Sequence, residues 1–150
     1  MSDAAAMVAF LEARLDEDEA GAKACQSPSP WKTATHPADS WIVTDATGEP
    51  VIYDEGTPSL EEAAHIARHD PARVLRDVEA DRALLSALGQ ARKFSDHMFS
   101  SPSPEGAASG EVPGERVRAA TQVLTLERVV MIRAARFSDH PGYSPAWAPA

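Results

Sequence analysis

A single cysteine, Cys25, serves the whole chain, so no internal disulfide can staple the fold. A lone thiol fits a reducing cytoplasm, and the expected localisation is cytoplasmic. Aromatic residues make up only 6% of the sequence against 43% hydrophobic, so aliphatic side chains must supply most of any core. Basic residues are also scarce, with 14 Lys and Arg facing 23 Asp and Glu for a net charge of −9. Broad binding to a nucleic-acid backbone needs a basic surface and is not expected here. The charge suits solubility or a basic partner. No run reaches the roughly 18 apolar residues of a membrane span. Met1-Ser2-Asp3 carries no basic region, and Glu12 and Arg14 interrupt the first apolar run, so no membrane role or export is expected.

What is present reads as one domain over 1–150, α+β and mainly α. Three or four helices are expected to pack with a small antiparallel β-hairpin or three-stranded meander. The first helix is expected at 3–24, burying Met7, Val8, Phe10, Leu11 and Leu15 and leaving Asp16-Glu17-Asp18-Glu19 as a solvated acidic face. Pro28 and Pro30 lead into a β-rich stretch at 31–54. There Trp41-Ile42-Val43-Thr44 and Pro50-Val51-Ile52-Tyr53 flank a turn at Asp45-Ala46-Thr47-Gly48, and Trp31 to Thr35 offers a third strand. Helices are expected at 58–69, 71–94 and 115–136. A Ser-, Pro- and Gly-rich stretch at 99–114 reads as a flexible linker, and the tail 137–150 is expected to dock through Tyr143 and Trp147. The breadth of apolar residues in the last helix, including Val117, Val123, Leu124, Leu126, Val130 and Met131, predicts that it is well buried. Within 71–94, Asp81 and Arg82 interrupt an apolar stripe, which suggests a polar contact to a neighbouring helix or a second subunit.

The most informative stretch is His65-Ile66-Ala67-Arg68-His69-Asp70-Pro71-Ala72-Arg73-Val74-Leu75. Pro71 excludes Asp70 from the α region and ends the preceding helix. Asp70 then suits the N-cap and Pro71 the first position of the next one. Upstream, Thr57 can cap ahead of Pro58, or Ser59 and Glu62 can form a capping box. His65 and His69 stand one turn apart, on the side away from Leu60 and Ala64. Two readings follow. Paired imidazoles suit a transition metal, with His140 as a third ligand. The same spacing also describes a polar helix face with solvated histidines. His69-Asp70 also resembles the His-Asp pair of metal-dependent phosphohydrolases, which need a further His and Asp; His36 and Asp96 or Asp139 are the nominees. Arg68, Arg73 and Arg76 form a local basic cluster, with Arg73 placed to pair with Asp77 at i+4.

No complete catalytic constellation is present, so whether the protein is an enzyme is left open. The leading expectation is a small non-enzymatic binding or interaction protein, with a protein partner or self-association, and with His65, Arg68, His69, Arg73, Asp139 and His140 as its ligand or partner surface. No cofactor is expected. The alternative is a metal-dependent hydrolase holding a divalent metal through His65 and His69 with His140, or with His97 in its place, and a nearby Asp.

The helix Val8 to Glu19, the Trp-containing hairpin, the stretch His65 to Leu75, and the tail Asp139-His140-Pro141-Gly142-Tyr143 ending in Trp147 together resemble a small uncharacterised family. That family is a domain of unknown function found in actinobacteria and their phages. The resemblance covers most of the chain outside 99–114. It implies a soluble bacterial or phage protein and no particular activity, cofactor or catalytic residue.

Overall fold

The computed structural model describes residues 3–36, 40–52, 58–100 and 113–149. Its elements run α1 (Asp3–Ala24), β1 (Lys32–His36), β2 (Ser40–Thr44), α2 (Leu60–Arg68), α3 (Pro71–Ser100) and α4 (Pro113–Ala134). Single 3₁₀ turns follow at Ala135–Phe137 and Pro145–Trp147. The fold is α+β and mainly helical, with one small antiparallel hairpin. Its packing separates into two compact units, one of residues 15–79 and one of residues 1–14 with 80–150.

In the unit of residues 15–79, β1 and β2 pair antiparallel, from Lys32 opposite Thr44 to His36 opposite Ser40. Two strands alone are marginal in water. The pair is covered by α2, which contacts both strands and brings the fully buried Ala63 into a core that also holds the fully buried Val43. The alanine face of α2 permits this close approach, since a larger side chain would hold the helix off the sheet. Leu60, at i relative to Ala63, Ala64 and Ala67 at i+3, i+4 and i+7 on that face, is 42% exposed. The reason lies in the cap. Ser59 Oγ accepts from the Glu62 N–H while the Glu62 carboxylate accepts from the Ser59 N–H, which puts Leu60 in the exposed first turn. Those same Ser59 bonds hold the Glu62 carboxyl below its usual range. Thr57, the other capping candidate, lies outside the described residues.

Among the described residues the sheet is a two-stranded hairpin. After β2 the chain turns at Asp45 and returns as a single bridge, Thr44 opposite Pro50, with Val51 N–H donating to Val43 O at 2.9 Å; Tyr53, the last residue of the expected strand, lies outside the described residues. Pro50 has no N–H to extend a ladder. The turn itself forms where the sequence places it, with Gly48 at φ +89°. The buried Asp45 organises it, accepting from Thr47 Oγ1 (2.6 Å), Thr47 N–H (2.8 Å) and Glu49 N–H (3.2 Å). The Thr47 hydroxyl, helped by these backbone N–H groups and opposed by burial, holds the Asp45 carboxyl below the usual carboxylate range.

The break between α2 and α3 accounts for every early backbone donor of α3. Pro71 has none. Ala72 N–H donates to Ser29 Oγ at 3.1 Å, and Arg73 N–H to Asp70 Oδ1 at 2.7 Å. The other Asp70 oxygen accepts from Trp31 N–H at 3.3 Å. Asp70 thus caps the helix and ties it to the loop ahead of β1, and it is buried in doing so.

In the second unit, Met7 and Leu11 of α1, Leu88 and Ala91 of α3, and Ala119, Val130 and Ala134 of α4 are buried together with Trp147. Helix α3 extends past the expected stop at Phe94 to Ser100. No proline or glycine falls between Phe94 and Ser100 to stop it. Of the expected linker 99–114, both ends are helical, and residues 101–112 lie outside the described residues. Helix α4 starts two residues before the expected 115 and gives way to a 3₁₀ turn after Ala134.

Candidate functional site

The six residues expected to form a binding surface divide between the two units, with His65, Arg68, His69 and Arg73 in one and Asp139 and His140 in the other. His65 and His69 lie one above the other on exposed helix surface, ring centroids 4.4 Å apart. His69 Nδ1 is 2.9 Å from the His65 carbonyl oxygen. A carbonyl only accepts, so Nδ1 carries the proton and the ring closes the C-terminus of α2. Arg73 bridges the two helices, 3.7 Å from Asp77 Oδ2 on α3 and donating to the Arg68 carbonyl of α2 at 3.4 Å. This stretch therefore uses much of its chemistry to end one helix and start another. Asp70, the carboxylate of the phosphohydrolase-like pair, is engaged by two backbone N–H groups.

His140 sits in different surroundings. Its Nδ1 accepts the Gly142 N–H at 2.9 Å, and the Arg14 guanidinium lies against Nε2, so both ring nitrogens are engaged. The ring also packs edge-on to Phe10 with centroids 5.5 Å apart. Phe10 is the hub of the tail: Phe137, Tyr143 and Trp147 surround it at 6.4, 6.0 and 5.3 Å. Trp147 Nε1 donates to Asp3 Oδ1 at 2.8 Å, giving the buried indole its hydrogen bond. Asp139 is exposed beside this cluster. Among the described residues, no three His, Cys, Asp or Glu side chains are grouped to hold a metal ion.

The polar break in α3 belongs to a third cluster. Asp81 is 2% exposed and accepts from Arg133 through both oxygens, at 2.5 Å from Nε and 2.9 Å from Nη2, while Arg136 adds a 2.6 Å bond to Oδ2. A fork-to-carboxylate pair of this kind is strong and orientation-specific. Two further contacts repeat the alignment of α3 with α4: Arg92 to Glu127 at 2.8 Å, and the Arg116 guanidinium over the Phe99 ring at 5.7 Å. The neighbouring-helix option for Asp81 is thus realised within the chain. Sequence reading missed Arg133 and Arg136, since nothing local links them to a carboxylate 52 or more positions earlier.

The largest departure from expectation is α4, which is not well buried all round. Val117, Leu124 and Ile132 are 63%, 66% and 50% exposed. At about 100° per residue they fall on one stripe with Thr121 and Arg128, opposite Ala119, Val130 and Ala134. Val117, Arg118, Thr121, Gln122, Thr125 and Leu126 line a shallow groove of about 410 Å³ along this side. A second, smaller cleft of about 210 Å³ lies by Asp3, Met7, Glu127, Met131 and Trp147, with Asp3 already bonded to Trp147 and Glu127 to Arg92.

These features define a mainly helical α+β protein in which buried aspartates and an aromatic cluster centred on Phe10 hold the elements in place. The chain belongs to a family of unknown function, DUF6221, whose model matches residues 4–149. Searches of curated proteins and of solved structures found no match. Among the described residues no helix is long and apolar enough to cross a membrane.

Proposed function

We propose that this protein is a non-enzymatic interaction module that engages a protein partner through the outer face of α4. The observation that carries this reading is the exposure of Val117, Leu124 and Ile132 in register on one helix. Exposed apolar residues aligned on one helix face point to an interaction site, whereas singly scattered ones do not. The groove among the threonines beside them gives the surface a relief that an incoming side chain can enter. Asp45, Asp70, Asp81 and His140 are all engaged in holding turns, caps and helices together, which supports binding over catalysis. The exposed thiol of Cys25 and the resemblance set out above support placing the protein in a reducing bacterial cytoplasm, of actinobacterial or phage origin.

The test is site-specific photocrosslinking in the native host, with a photoreactive residue at Leu124 and, as control, at Ala87, exposed on α3. A heterologous adduct formed from position 124 and not from 87 is expected. No adduct at 124, or the same adducts from both positions, would refute the reading.

A further inference from the structure

We propose that the occupant of the α4 face is an acidic amphipathic helix of a partner protein; this rests on the docking reading above and adds the partner's chemistry. The chain as a whole is acidic, at −9, yet α4 carries four arginines (Arg116, Arg118, Arg128, Arg133) against two glutamates (Glu115, Glu127). The inner arginine, Arg133, is held by Asp81, and Glu127 is held by Arg92. At about 100° per residue, the outer face keeps Arg118 and Arg128 beside Val117, Leu124 and Ile132, and neither glutamate of α4 falls on it. Arg128 lies on the apolar stripe and Arg118 flanks it, while the carboxylate on the opposite flank, Glu127, is already paired with Arg92; this complements a helix with apolar residues at i, i+3 or i+4, and i+7 and with Asp or Glu alongside. A second copy is disfavoured by the same geometry. Two α4 helices laid face to face bring four arginines together with no outer-face carboxylate of α4 to neutralise them. An anionic membrane is disfavoured by the net charge of the rest of the chain.

The probes are two designed helical peptides of about three heptads with identical leucine stripes, one flanked by Glu and one by Lys. Binding to the full chain is read by fluorescence anisotropy at low and high salt. The Glu peptide is expected to bind at least about tenfold more tightly than the Lys peptide, with the preference fading as salt rises. Leu124→Ser should weaken it about tenfold or more, and Arg118→Glu with Arg128→Glu should reverse the preference, each in protein whose circular dichroism is unchanged. Equal binding of both peptides, lost in Leu124→Ser, overturns the acidic partner and leaves the docking face standing. Failure of both peptides, or binding indifferent to Leu124→Ser, overturns both. A dimer dissolved by Leu124→Ser, or binding to phosphatidylserine vesicles in preference to the Glu peptide, overturns the proposed occupant.

Discussion

The two faces of α4 carry similar residues and meet opposite fates. Inward, Ala119, Val130 and Ala134 are buried and Arg133 is clamped by Asp81. Outward, Val117, Leu124 and Ile132 are exposed with Arg118 and Arg128 among them. Both faces mix valine or leucine with arginine, so composition does not separate them. What separates them is whether a carboxylate and a packed neighbour are supplied by another element. The inner face has α3 and its Asp81. On the outer face, no carboxylate among the described residues plays the part of Asp81 toward Arg118 or Arg128.

This contrast can be broken or sharpened by substitution. The largest effect is expected on the inner face. Asp81→Ala leaves two guanidinium groups without their shared carboxylate, and a loss of about 3 kcal/mol in urea unfolding is predicted, since removing one partner of a buried pair strands the other. Both arginine side chains are about a third exposed and reach solvent, which holds the loss at the lower end of the usual range. Val130→Ala, at a fully buried position, should cost about 2 kcal/mol through lost transfer energy and the cavity left behind.

A smaller effect belongs to the other unit and responds to pH. The lowered pKa of Asp45 means that the unfolded state binds more protons than the folded state in the acid range. Its contribution is therefore fully present above the ordinary carboxylate pKa of about 4 and is lost as pH falls through the lower folded value. Asp45→Asn should shrink that acid-dependent component of stability when Tm is followed from pH 6 to pH 2. Outer-face variants of α4 should leave it unaltered. The smallest stability effect is expected at Val117→Ser, within about 0.5 kcal/mol of the parent, because its side chain is mostly in water already.

The parts of the fold that were legible in the sequence are those whose partners are local. Asp70 and Pro71 announce the helix break because the bonded N–H lies three positions on. Gly48 and Asp45 announce their turn for the same reason. The Ser59–Glu62 box is readable three residues apart. Asp81 could only be read as an anomaly, because Arg133 and Arg136 come from another helix. His140 looked like a spare imidazole, since Arg14 and Phe10 are more than 120 positions away. For α4, a wide apolar arc predicts a well-buried helix. Periodicity reports how much apolar surface a helix has, not whether anything covers it. The candidate site was illegible for that reason: its residues look like core residues in the sequence, and only their exposure distinguishes them.

The most direct measurement compares Leu124→Ser with Val130→Ala by equilibrium urea unfolding of the full chain. An outer face free of intramolecular packing predicts a Leu124→Ser midpoint within about 0.5 kcal/mol of the parent, beside a loss of about 2 kcal/mol for Val130→Ala. A Leu124→Ser variant as unstable as Val130→Ala would show that the stripe is already covered by the chain itself, and the docking face would be contradicted.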